Sequence, residues 1–263
     1  MTVMERRVTL KSRSQIERMA VAGRLVAKVL DRVGEELRPG VTTLELDAIA
    51  EAMIRQAGGV PSFIGVPGQR GPFRHSLCIS IDDEVVHGIP GRRRIEAGSL
   101  VSVDAGAIID GWHGDAARTW VVGQVPERSS RLVEVTRRAL SAGIAAAQPG
   151  NHLADISAAV EDIALAEGYG VVRDFVGHGI GNEMHEEPQV ANFRPPSRGR
   201  LIEPGLCLAI EPMFTLGGHA VRMKPDGWTV VTVDGSLAAH WEHTIAVMAD
   251  GPRVLTALDG WSA

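Results

Sequence analysis

The chain has 263 residues, a formal net charge of −5, 44% apolar and 22% charged side chains. That balance belongs to a soluble globular chain with a sizeable core and argues against nucleic acid as a partner. No apolar run reaches the ~20 residues of a membrane span, the basic N-terminus precedes no apolar signal core, and the two cysteines, Cys78 and Cys207, make no disulfide framework. A cytoplasmic protein is expected, and Arg92–Arg94 reads as a solvated turn.

In chain order, Ser14-Gln15-Ile16-Glu17 has the form of a capping box and predicts a helix start. Ile16, Met19, Ala20, Gly23, Val26, Ala27 and Leu30 then recur at helical spacing. Pro39-Gly40 stops this helix, Thr42 and Glu45 cap a second, and Gly58-Gly59 ends it. From Cys78 the texture becomes β-rich, with runs at Leu100–Val103, Ala107–Ile109 and Thr119–Val122. The pattern then repeats: a helix from Ser130 to Ala147, Pro149-Gly150, a helix from about Leu153 to Glu167, Gly168, and strands to the end. An offset of 110 aligns Pro39 with Pro149, Gly40 with Gly150, Leu46 with Ile156, Glu51 with Glu161 and Gly58 with Gly168. This suggests internal duplication within one domain spanning 1–263, with halves of roughly 10–122 and 130–248. The expected class is α+β, helices packed on a curved, mainly antiparallel sheet, with Asp104 brought near Glu211 where the halves meet.

Five residues are hard to place as ordinary surface or core: Asp104 in SVDAGA, Asp115 in HGDAAR, His178 in GHGIG, Glu211 in AIEPM and Glu242 in WEHTI. A carboxylate in a half-buried strand is costly unless it is neutralised. Asp104 and Asp115 flank the turn-rich Asp110–Gly114 and would face one site from neighbouring strands. Carboxylates with an imidazole suit borderline divalent ions such as Mn, Co, Fe or Zn. Four carboxylates are too many for one three-ligand zinc centre, but they can share two ions, a recurring device for hydrolysis. The carboxylates alone would also serve a two-ion phosphoesterase. His185, in HEEP, and His87, before Gly88-Ile89-Pro90, are further candidates.

The motifs VVHGIPG, VSVDAGAIIDGWHGDAARTW, GHGIGNEMHEEP, PGLCLAIEPMF and DGWTVVTVDGSLAAHWEHTIAV together resemble the type I methionine aminopeptidases, metal-dependent enzymes of pita-bread fold. The resemblance runs from the first helix to about Val247. It implies that Asp104 binds one ion, His178 with Glu211 the other, and that Asp115 and Glu242 bridge. It also implies that a hydroxide shared by the ions attacks the first peptide bond. Glu211 would shuttle the proton, His185 would contact the carbonyl oxygen and His87 the amide of the second residue. Cys78, Met184 and Trp228 match the pocket wall for the methionine side chain. The substrates would be N-termini of nascent polypeptides, near the ribosome, with a small second residue; the chain's own Met1-Thr2 suits that preference. A monomer is expected. One segment departs from the pattern: Gly65–His75 is longer than usual and lacks tyrosine, so a reshaped pocket rim is expected. Rival readings on the same scaffold are an Xaa-Pro peptidase and a catalytically silent binding protein.

Overall fold

The computed structural model describes residues 8–258; the Met1-Thr2 start lies outside them. Helix α1 (Arg13–Glu36) begins two residues earlier than the Ser14 capping box implies. Its cap is Ser12, whose hydroxyl accepts from the Gln15 N–H while the Gln15 side chain accepts from the Ser12 N–H. Two local ties fix this choice: the Lys11 N–H donates to the Gly205 carbonyl, and the buried Lys11 ammonium pairs with Glu186. Helix α2 (Thr43–Gln56) starts from the expected Thr42–Glu45 box. Helix α3 (Glu127–Ala146) starts three residues before Ser130, directly after Pro126, and α4 (Leu153–Glu167) ends on left-handed Gly168.

Between the helix pairs the β-rich runs merge into two eleven-residue strands, Ser99–Ile109 and Trp112–Val122. The turn between them is only Asp110-Gly111, both at positive φ (49° and 78°). That is tighter than the Asp110–Gly114 connection expected from composition, and its backbone suits the right-handed twist of a hairpin. Helix α1 packs across both strands. The approach is close because glycine meets glycine: a Cβ on Gly114 would lie 2.7 Å from the Gly23 nitrogen. Val26, Leu30, Val33, Leu46, Ile54, Ile79 and Val103 form the core beneath α1 and α2. Helix α3 packs on α4 and against the strands Met213–Thr215 and Ala238–His240. All strand pairings among the described residues are antiparallel.

The two halves share hydrogen bonds as well as element order. Gly40 and Gly150 have the same φ of 92°, and they donate to Ile95 and Ile202 respectively. Thr42 bridges Arg94 as His152 bridges Leu201. The Val60–Pro61 strand pairs Ile108 and Ala107, as Gly170–Val171 pairs Thr215 and Phe214. The helices and the short strand after each pair keep the offset of 110, whereas the strands those short strands pair with are three residues closer. In that register the partner of Asp104 is Glu211 itself.

Candidate metal centre

The long hairpin sets the first two acids. Asp104 lies opposite Ala117 and Gly106 opposite Asp115, so both carboxylates project diagonally from one face. The strand Cys207–Ile210 delivers Glu211 just before Pro212 ends it, and its partner strand His243–Met248 begins just after Glu242. His178 comes from the short strand Gly177–Gly179, paired to Ala209. Its glycines are required: a Cβ on Gly177 would lie 2.4 Å from the Ala209 carbonyl oxygen, and one on Gly179 2.3 Å from that of Glu187.

At the centre the halves share a pair of backbone bonds, Ala117 N–H to the Glu242 carbonyl (3.3 Å) and Glu242 N–H to that of Ala117 (2.8 Å). On either side the strands splay, and a threonine from the opposite half fills each gap. The Thr244 hydroxyl accepts from the Asp115 N–H (3.0 Å) and donates to its carbonyl (2.8 Å). The Thr119 hydroxyl does the same for His240, at 2.9 and 2.8 Å. Each half thus holds backbone polar groups of the other that burial would otherwise leave unpaired.

All five expected ligands converge. The His178 Nε2 stands 3.8 Å from Asp115 and 3.7 Å from Glu211. Its Nδ1–H donates to the Gly179 carbonyl (2.9 Å), which leaves the Nε2 lone pair facing the acids. Asp115, His178 and Glu242 are buried; Asp104 and Glu211 are half-buried. Desolvation pushes the Asp104 carboxyl up to about 7 and that of Glu211 up to about 8. Asp115 and Glu242 are driven well above the usual carboxylate range by desolvation and by neighbouring carboxylates. Burial holds His178 down at about 4. Oδ1 of Asp104, Oδ1 of Asp115 and Oε1 of Glu242 are buried without hydrogen-bond partners among the described residues. Clustered anions, orphaned oxygens and a neutral imidazole aimed among them are what a divalent cation would satisfy. Two groupings have donor atoms within 4.8 Å of one another: Asp115–His178–Glu242 and Glu211–His240–Glu242. The residues fit the ion.

The cluster forms the floor of a cavity of about 430 Å³. Its wall holds the expected Cys78, Met184 and Trp228, packed with Phe63, Val66 and Phe73. Phe175 lines it too, so three of the five phenylalanines in the chain face one space. His87 has a left-handed backbone (φ 60°) and sets its ring edge-on to Phe175 and Trp228, at 5.4 and 6.4 Å. His185 is exposed at the cavity and lies 4.5 Å from the His178 ring. Desolvation by the cavity walls lowers both, His87 to about 4, so both are neutral near pH 7.

The Gly65–His75 segment closes the rim. Gly68 lies against Trp228 so tightly that a Cβ would sit 2.2 Å from the indole, and Phe73 meets that ring edge-on at 5.0 Å. Its base is tied to α2 by Asp47, whose carboxylate accepts from Ser76 N–H, Leu77 N–H and the His75 ring (2.8, 2.9 and 2.8 Å). Sequence reasoning missed Asp47, Phe63, Phe73, Phe175 and His240. Only the scarcity of aromatic residues and the alternation of His240 with Glu242 offered a signal.

The sequence profile of metallopeptidase family M24 matches residues 17–249. The chain belongs to that family. Within it, the chain is 46% identical over 256 residues to methionine aminopeptidase 1 of Mycobacterium tuberculosis, covering 95% of each protein. It is 45% identical over 250 residues to the Clostridium acetobutylicum methionine aminopeptidase, covering 95% of this chain and 98% of the other. The crystal structure of the Thermotoga maritima methionine aminopeptidase superposes with a TM-score of 0.92 at 40% identity, over 96% of this chain and 100% of that one. The fold is therefore the pita-bread fold of the M24 enzymes, and the centre is that of a metallopeptidase.

Proposed function

We propose that the protein removes N-terminal methionine from peptides and new polypeptide chains, most readily before a small second residue. The observation that carries this reading is the anionic cluster at the floor of an aromatic and sulfur-lined cavity, in a chain with methionine aminopeptidase relatives. Asp104, Asp115, His178, Glu211 and Glu242 would hold two divalent ions, drawn from Co, Mn, Fe and Zn. Bound there, such ions would acidify water and act as Lewis acids toward the scissile carbonyl.

The residues do the rest. Glu211, half-buried and at the cavity floor, takes the proton from the attacking water and passes it to the departing amine. His185, neutral and exposed at the cavity, is placed to donate to the carbonyl oxygen as charge develops there. His87, on the wall beside Phe175 and Trp228, orients the amide of the second residue. Phe63, Phe73, Cys78, Met184 and Trp228 supply a polarizable apolar surface for a thioether. The carboxylates would also attract a free α-amine, which restricts cleavage to a chain end. No described helix is long and apolar enough to cross a membrane, and the low net charge gives no reason to invoke nucleic acid. A cytoplasmic monomer acting on chains near the ribosome fits this reading.

The test is release of methionine from Met-Ala-Ser by chelator-stripped protein with Mn, Co, Fe or Zn added back. Metal-dependent release supports the proposal. Cleavage of Met-Pro or other N-termini alone would replace it with altered specificity, and silence on every peptide would favour a non-catalytic scaffold.

A further inference from the structure

His240 lies in the centre but is not among the five residues assigned to the metals. It is 1% exposed, and neither ring nitrogen meets a hydrogen-bond partner among the described residues. A histidine that merely fills a core hydrogen-bonds at least one nitrogen, because burying both unpaired costs roughly 1–3 kcal/mol each. Its Nε2 stands 3.6 Å from Oε2 of Glu211, too far for a hydrogen bond. The same kind of spacing, 3.7 and 3.8 Å, separates the His178 Nε2 from Glu211 and Asp115. Two donors each about 2.0–2.2 Å from one ion, at angles near tetrahedral, lie about 3.3–3.6 Å apart. His240 also groups with Glu211 and Glu242, as His178 groups with Asp115 and Glu242.

We propose that His240 is a sixth protein ligand, so that each ion position receives an imidazole, one from His178 and one from His240, with Glu242 common to both. This rests on the metal reading above and adds a residue to it. The ring is aimed by the opposite half of the chain. Thr119, 3% exposed, grips the N–H and carbonyl of His240, and the Ser102 hydroxyl lies 2.8 Å behind it. A hydroxyl is required there because the bond runs in both directions; the isosteric valine offers neither. A nitrogen donor in each position should move the centre away from oxygen-seeking Mn and toward Co, Fe and Zn.

The experiment is proton NMR of the Co(II)-loaded full chain, in which each coordinated imidazole gives a strongly shifted, exchangeable N–H signal, paired with Co(II) and Mn(II) titrations by calorimetry. The unsubstituted protein should show two such signals, and His240→Gln one. Losing even a partner behind a ligand costs about 10–100-fold in metal affinity, so the weaker Co(II) site should lose at least about tenfold in His240→Gln, with a smaller change for Mn(II). Thr119→Val should shift the His240 signal, and Thr119→Ser should restore it. One signal in the unsubstituted protein, or two retained in His240→Gln, would overturn the proposal while leaving the enzyme reading intact. If His240→Gln fails to fold, the His87→Ala/His185→Ala variant decides: two signals support His240, and one overturns it. No shifted signal at all would overturn both this inference and the metal reading.

Discussion

Glu211 is held at the cavity floor with its carboxyl raised to about 8, a value poised for accepting and returning a proton near neutrality. Glu211→Gln keeps the volume and removes the base. Its kcat should fall about 10²–10⁴-fold with little change in fold, measured as methionine release against circular dichroism; undiminished turnover would remove Glu211 from its role. The cysteines make the opposite case. Cys207 is fully buried and pushed up to about 12 by desolvation, and Cys78 is raised well above the ordinary thiol range by desolvation and by Asp104. Both should resist iodoacetamide at pH 8 in the native protein and react after unfolding, as read by mass spectrometry. The motif residues were legible one by one because an acid amid SVDAGA or AIEPM is too costly to bury without a cation. His240 was not, because its meaning lies in Glu211 and Thr119, far away in sequence.

Among the elements, the packing of α1 against the chain at Leu255 and Thr256 depends on having no side chain at Gly23. A Cβ there would lie 2.3 Å from the Leu255 carbonyl oxygen. Gly23→Ala should therefore cost about 1–3 kcal/mol, despite alanine's better helix propensity. Gly91→Ala, which meets nothing within 4 Å, should stay within about 0.5 kcal/mol; urea unfolding of the two variants gives the comparison. At the cavity rim, Gly68→Ala would displace the Trp228 ring. A loss of about 1 kcal/mol of substrate binding is expected, about a fivefold rise in KM with kcat nearly unchanged; a normal KM would show that the Gly65–His75 segment does not shape the pocket. Helix ends with matching caps were legible at Thr42. At Ser12 they were not, because two serines offer similar boxes and the burial of Lys11 chose between them.

For the whole molecule, the centre is a cost that folding bears until a cation arrives. Asp104 and Glu211 titrate at about 7 and about 8 in the folded chain against ordinary values of 3.8 and 4.5. Between those limits the folded state binds more protons than the unfolded state, so stability of the metal-free protein must fall as pH rises. Thermal unfolding of chelated protein should show its midpoint dropping from about pH 5 to pH 8, with saturating Co or Mn flattening the slope. A midpoint rising with pH would mean that the folded chain itself holds these carboxylates ionised, through positive groups or hydrogen-bond donors of its own. The matched bonds of Gly40 with Gly150 and of Thr42 with His152 fit a duplicated ancestor. So does the reciprocal grip of Thr119 and Thr244 across the seam.

By itself, the sequence determined the helix pairs, the Pro-Gly stops, the strand-rich halves and the five candidate metal ligands. Each depends on local periodicity, on backbone limits at glycine and proline, or on a charge set where only a cation excuses it. Tertiary structure alone decided that Asp104 and Glu211 occupy corresponding places, that three phenylalanines line one cavity, and that His240 stands unpaired beside Glu211. Those facts depend on which strands splay and which hydroxyls fill the gap, and contacts between residues more than a hundred positions apart leave no periodic trace in the chain.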